Sequence, residues 1–113
     1  MQFHTEQASS LLRAMGNPHR LRILLLLAER ERSVIELEAL VGLSQSAVSQ
    51  HLARLRQTKL VSFRRDGQMT FYALDGAEVR SILMTLHLLY GRDQGAAAAV
   101  PLVAADSPVD RAR

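Results

Sequence analysis

Gly42-Leu43-Ser44-Gln45-Ser46-Ala47-Val48-Ser49-Gln50-His51-Leu52-Ala53-Arg54-Leu55-Arg56 closes one helix and opens another. Gly42 can end a helix because it tolerates a left-handed residue at the C-terminus. Ser44 is suited to cap the next, since its hydroxyl can accept from a backbone N–H that the first turn leaves free. Only Gly42 and Leu43 separate the two, so the spacing predicts a tight helix–turn–helix. At about 100° per residue, Val48, Leu52 and Leu55 fall on one side of the second helix, a core face. Ser46, Gln50, Ala53 and Arg54 fall on the opposite side, with Gln45 and Ser49 at its flank.

The chemistry of that outer face is specific. A solvated surface helix favours Glu and Lys for propensity and ion pairing. Here the exposed positions hold amides, hydroxyls and arginine, and no acid occurs from Leu43 to Arg65. These groups hydrogen-bond base edges and phosphates, Gln with adenine and Arg with guanine or the backbone. The charge distribution agrees. The chain is +3 overall, yet residues 44–68 carry Arg54, Arg56, Lys59, Arg64 and Arg65 against Asp66 alone, leaving the remainder nearly neutral. A concentrated basic region on a neutral body implies a polyanionic partner, here double-stranded DNA. The helix over 44–58 is expected to enter the major groove by its N-terminus.

Downstream, two strands are expected over 60–65 and 68–74, joined by Asp66-Gly67, a strong type I′ hairpin signal. That turn would pair Arg65 with Gln68, Phe63 with Thr70 and Val61 with Tyr72. Arg64, Arg65 and Gln68 then form a basic tip, a wing that reaches adjacent backbone or minor groove. Upstream, 3–15 reads as a helix ended by Gly16. Asn17-Pro18 starts a second, apolar nearly all round and therefore central, reaching about Arg30. Ser33-x-x-Glu36 is a capping-box pattern for a third, to about Val41.

The last helix, over 76–90, carries Val79, Ile82, Leu83, Leu86, Leu89 and Tyr90 in one stripe, with Met84 and Leu88 off it. That is more apolar surface than a small domain covers. A homodimer seam is expected from Leu11, Leu12, Ile82, Leu83, Leu86, Leu89 and Tyr90. The fold class expected is mainly α with a β-hairpin wing, in the order ααααββα. Residues 1–91 form the DNA-binding and dimerisation domain, and 92–113 are expected to be a mostly disordered tail.

The composition excludes several function classes. Without cysteine there is no disulfide, thiolate nucleophile or zinc–thiolate site. No apolar run approaches about 18 residues and the first ten residues are polar, so a cytoplasmic protein with no membrane partner is expected. No Ser–His–acid grouping has supporting context and no Gly-rich phosphate loop occurs, so no enzyme is expected and no cofactor. The histidines read as structural or surface residues. His4 is near a frayed end, His19 is exposed, and His51 is a packing or phosphate contact. His87 belongs to the dimer seam, and no metal ligand set is expected. Arg20 and Arg22 suit phosphate contact or a surface ion pair equally.

The chain also resembles the ArsR/SmtB winged-helix repressors. The resemblance rests on Met15-Gly16-Asn17-Pro18-His19-Arg20-Leu21-Arg22-Ile23-Leu24, on Leu43 to Leu52, and on Arg64-Arg65-Asp66-Gly67-Gln68 with Tyr72. It covers about residues 5–91 and is similar in kind to the NolR- and HlyU-type subgroup without cysteines. It implies a homodimer paired through the first and last helices, and repression at an imperfect, usually AT-rich, palindromic promoter operator. On this chain it implies base reading by Gln45, Ser46, Ser49 and Gln50, with Arg64, Arg65 and Gln68 in the wing. Metal-sensing members carry a Cys-containing motif on the third helix, where this chain has Val34 to Leu40. Redox-sensing members carry Cys at the positions of Glu38 and Gly91. Two other readings use the same fold, a metal- or small-ligand-responsive sensor and a protein-interaction module without DNA. Acids or an apolar patch on the fourth helix would favour the latter.

Overall fold

The computed structural model describes residues 4–91. The tail expected over 92–113 lies outside them. Five helices and three strands follow in the order α1 (Thr5–Met15), α2 (Pro18–Glu29), β1 (Arg32–Ser33), α3 (Val34–Val41), α4 (Gln45–Gln57), β2 (Val61–Asp66), β3 (Met69–Leu74) and α5 (Ala77–Tyr90). This is a winged helix–turn–helix. Among the described residues no helix is long and apolar enough to cross a membrane.

The capping chemistry sets the boundaries. The Asn17 side chain accepts from the N–H groups of His19 and Arg20, with Pro18 in the first turn of α2. Ser33 accepts from the N–H of Glu36, and Ser44 from that of Ala47. The capping box at Ser33 is half made. The Glu36 carboxylate does not serve the Ser33 backbone but receives Arg30 and Arg32. Gly42 sits at φ 72 and donates to the Glu38 carbonyl at 2.9 Å, which makes the sharp α3–α4 turn possible.

Ile23, Leu24 and Leu27 of α2 are buried at the centre of the core with Leu37, Val48, Leu52, Leu55, Val79 and Leu83. Each such side chain withdrawn from water contributes about 1.5–3 kcal/mol. The core face of α4 is the one its periodicity specifies. Leu83 belongs to this core and is buried within the chain itself. It is therefore removed from the set of residues available to a partner subunit. Leu12, Leu89 and Tyr90 remain exposed, and Leu11, Ile82 and Leu86 are half-buried.

Two further corrections concern the sheet. First, it has three strands in the order β1-β3-β2, because Arg32 and Ser33 pair with Tyr72 and Phe71. Two residues are too few to show a strand's alternation. Second, the hairpin turns on Gly67-Gln68 rather than Asp66-Gly67. Asp66 pairs with Met69, Arg65 with Thr70, Phe63 with Tyr72 and Val61 with Leu74. Gly67 has φ 64 and Gln68 does not share the positive φ, as a type II′ turn requires and a type I′ turn does not. The register differs from expectation by two residues, so partners change while each side chain keeps its face.

Candidate nucleic-acid interface

The N-terminal three turns of α4 stand free of the core on one side. Gln45, Ser46, Ser49, Gln50 and Arg54 are all exposed, while Val48, Leu52 and Leu55 are buried beneath them. The sheet rises beside α4, and between the two runs an open groove of about 510 Å³. Gln45, Ser49 and Arg56 line it from the helix, and Arg65, Gln68 and Phe63 from the wing. The structure thus brings Gln45 and Ser49 together with Arg65 and Gln68. Ser46, Gln50 and Arg54 lie further round the helix, on its outward arc.

Arg64 is not part of this group. Strand alternation puts it on the opposite face from Arg65, beside its cross-strand partner Phe71. Its guanidinium lies 4.5 Å from the Phe71 ring centroid and donates to both carboxylate oxygens of Glu31 at 2.8 Å. The expectation of two free arginines at one tip is corrected to one, Arg65. The hydrogen bond that Arg64 donates to Glu31, against some burial and with the added charge of Glu31 and Asp66, raises the pKa of Arg64.

Two residues that position the wing were not singled out in the sequence. Arg56 extends from the last turn of α4, with its guanidinium 5.0 Å from the Phe63 ring centroid and a 3.3 Å hydrogen bond to the Tyr72 hydroxyl. Phe63 and Tyr72 stack with centroids 5.6 Å apart. A cation–π contact of this kind contributes on the order of 0.5–1 kcal/mol at an exposed site. The signal was present, since Gln45, Ser49 and Arg56 share one helical stripe. The second residue is Arg32, whose side chain is buried. It donates to the Leu26 carbonyl at 3.0 Å, to Glu36 at 2.8 Å and to Glu29. A buried arginine without such partners would be strongly destabilising. Burial opposes ionisation of Glu36, but hydrogen bonds from Arg32 and Arg30 outweigh it and lower its pKa.

Arg20 and Arg22 form no ion pair among the described residues. Arg20 donates to the Ala14 carbonyl at 2.6 Å and Arg22 to the Leu40 carbonyl at 3.2 Å. Among the described residues no three of His, Cys, Asp and Glu cluster closely enough to hold a metal ion. What the arrangement can do is hydrogen-bond and ion-pair. It offers donors and acceptors on a rigid convex helix, with a cationic wall alongside.

Known proteins resemble this chain in sequence and fold. Residues 17–62 match the model of the bacterial regulatory protein, arsR family. The transcriptional activator HlyU of Vibrio cholerae is 47% identical over 90 residues, covering 80% of this chain and 83% of that protein. A solved structure of HlyU from Vibrio cholerae N16961 superposes with a TM-score of 0.77 at 46% identity, over 80% of this chain and 99% of that one. The nodulation protein NolR of Rhizobium meliloti is 48% identical over 98 residues, covering 87% of this chain and 80% of that protein. The solution structure of the homodimeric winged helix-turn-helix DNA-binding domain of Mb0332 from Mycobacterium bovis has a TM-score of 0.72 at 28% identity, over 80% of this chain and 83% of that one.

Proposed function

The chain belongs to the arsR family of bacterial regulatory proteins and is a DNA-binding transcription regulator, and from that premise we propose that it acts as a homodimeric repressor on an imperfect, AT-rich palindrome. The observation that carries this reading is the acid-free, exposed polar face of α4 facing a cationic wing across an open groove. Each subunit lays α4 in the major groove of one half-site. Gln45, Ser46, Ser49 and Gln50, in the first two turns, meet the base edges. Arg54 and Arg65 bind phosphates on either side, and Gln68 follows the backbone from the wing turn.

Dimerisation is supported by the uncovered apolar residues of α1 and α5, Leu12, Leu89 and Tyr90, and by the homodimeric Mb0332 domain. A two-fold seam there places the recognition helices about one DNA turn apart, on the order of 10 base pairs. Repression needs no surface beyond these, because a dimer seated on a promoter excludes polymerase sterically. Activation is the second reading, since HlyU is named an activator. The test is selection of duplexes from a random pool by the purified protein, followed by transcription in vitro from a promoter carrying the selected site. A palindrome and reduced transcript are expected. Increased transcript makes the chain an activator, and failure to enrich any sequence refutes specific recognition.

A further inference from the structure

The flank of α4 opposite the wing carries a second cationic group, of which the proposed DNA contacts use Arg54 alone. Taken at about 100° per residue, Gln45, Ser49 and Arg56 turn toward the wing, and His51 and Arg54 turn the other way, with Ser46 and Gln50 between them. On that far flank α4 meets the first turn of α2. The His19 and His51 rings lie 5.7 Å apart between centroids, tilted by 36°. His19 and Arg54 are exposed, and His51 and Arg20 are half-buried. Arg20 is held in place by its hydrogen bonds to the carbonyls of Ala14 and Arg13.

No ion pair of the described residues involves any of these four side chains. From α2, His19 and Arg20 face His51. Arg54 comes from α4 itself. The neighbouring α1 presents the Arg13 and Ala14 carbonyls to Arg20 and turns its Arg13 guanidinium onto Ser9. Four potential cations therefore converge with no carboxylate between them.

We propose that His19, Arg20, His51 and Arg54 form a phosphate seat on the flank of α4 opposite the wing, and that seating a DNA phosphodiester there draws a proton onto His51. The proposal rests on α4 lying in the major groove. In the free protein His51 is disfavoured as a cation, first by burial and then by the charges of Arg20 and His19. Burial and then the charge of Arg54 lower the pKa of Arg20 in the same sense. A phosphate reverses that balance, because its negative charge stabilises imidazolium. The bound state then holds more protons than the free state, so affinity rises as pH falls through the bound-state pKa of His51. The contact is with backbone, so the gain is shared by all sequences.

The test is fluorescence anisotropy of the wild type, His19→Gln, and His19→Gln with His51→Gln. Each is titrated with the selected palindromic duplex and a scrambled duplex of equal length, from pH 8 to pH 6. Imidazole NMR shifts are followed alongside. Wild-type affinity is expected to rise on both duplexes by up to about tenfold per pH unit for each proton taken up. The double variant is expected to stay within about twofold across the range, and the exposed His19→Gln provides a partial effect without disturbing the fold. The His51 resonances should move to imidazolium positions on adding duplex. A wild type whose affinity ignores pH, a slope unchanged in the double variant, or His51 resonances that do not move on adding duplex each overturn the seat while leaving DNA binding intact. Absence of binding to either duplex at every pH overturns the regulator reading as well.

Discussion

Arg64 on the wing and Glu31 at the α2–α3 link, 33 residues apart in the chain, are joined by two parallel hydrogen bonds of 2.8 Å. The pair ties the hairpin to the helical body beside the two-residue strand β1. The wing is thus held on both faces. Arg64 fixes it from behind, and Arg56 fixes it through Phe63 and Tyr72 on the groove side.

Glu31→Gln should therefore loosen the wing without unfolding the core. Faster amide exchange in β2 and weaker binding to operator and random DNA alike are expected. The hydrogen bond from Arg64 lowers the pKa of Glu31, against some opposition from burial. Such a depressed carboxylate stabilises the fold above its unfolded-state pKa, and the contribution disappears as pH falls through the folded-state value. The wild type should melt above Glu31→Gln near neutrality, and the gap should close below about pH 4. A gap that widens on acidification would contradict the latch. The effect is small because the pair is exposed.

Gln50 and Arg65 should fail differently. Gln50→Ala is expected to cost roughly 1–3 kcal/mol on the selected operator and little on random DNA, since a base contact is lost. Arg65→Ala should weaken both and reduce the slope of log K against log salt by about one. Salt titrations of both variants on both DNAs measure this. The reverse pattern would move sequence reading to the wing.

Gly42→Ala isolates the helix–turn–helix corner. Nothing lies within 4 Å of the added Cβ, so the loss is conformational, from φ +72. Urea unfolding should show a loss of about 1–2 kcal/mol. Lys59 shows that a non-glycine can hold this conformation, at φ 63, where the bonds from Lys59 N–H to the Arg56 carbonyl and from Leu60 N–H to the Leu55 carbonyl close α4. An unchanged stability would mean the corner relaxes.

Leu83 and Tyr90 should separate folding from assembly. Leu83→Ala opens a cavity in the core and should destabilise by about 2–5 kcal/mol. Tyr90→Arg together with Leu12→Arg, at positions 74% and 60% exposed, should leave the helical spectrum intact and convert a dimer to monomers by light scattering. A wild type that is monomeric at micromolar concentration would refute the seam.

Much of this was legible in the residues. Asn17-Pro18, Ser33, Gly42 and Ser44 carry their helix boundaries locally, because caps and left-handed residues act within a turn. The buried face of α4 followed from Val48, Leu52 and Leu55 in the same way, since a helix has a fixed period. The face of each wing residue also followed, because a strand has one too. What the residues could not supply is whatever depends on distant partners. Arg64 and Arg65 look alike in sequence, and only the sheet's position beside Glu31 makes one a structural latch and leaves the other in the groove. Leu83 and Leu86 lie in one apolar stripe, and only the packing of α5 on α2 decides that Leu83 is spent on the core. The hairpin register rested on a turn type that Asp-Gly allows but does not impose, and the six β2–β3 pairs settled it. His19 and His51 are 32 positions apart, and the seat they share exists only because α2 packs its first turn against α4. Local propensity acts through covalent neighbours, whereas ion pairs, registers and interfaces form between segments that the chain brings together only when it folds.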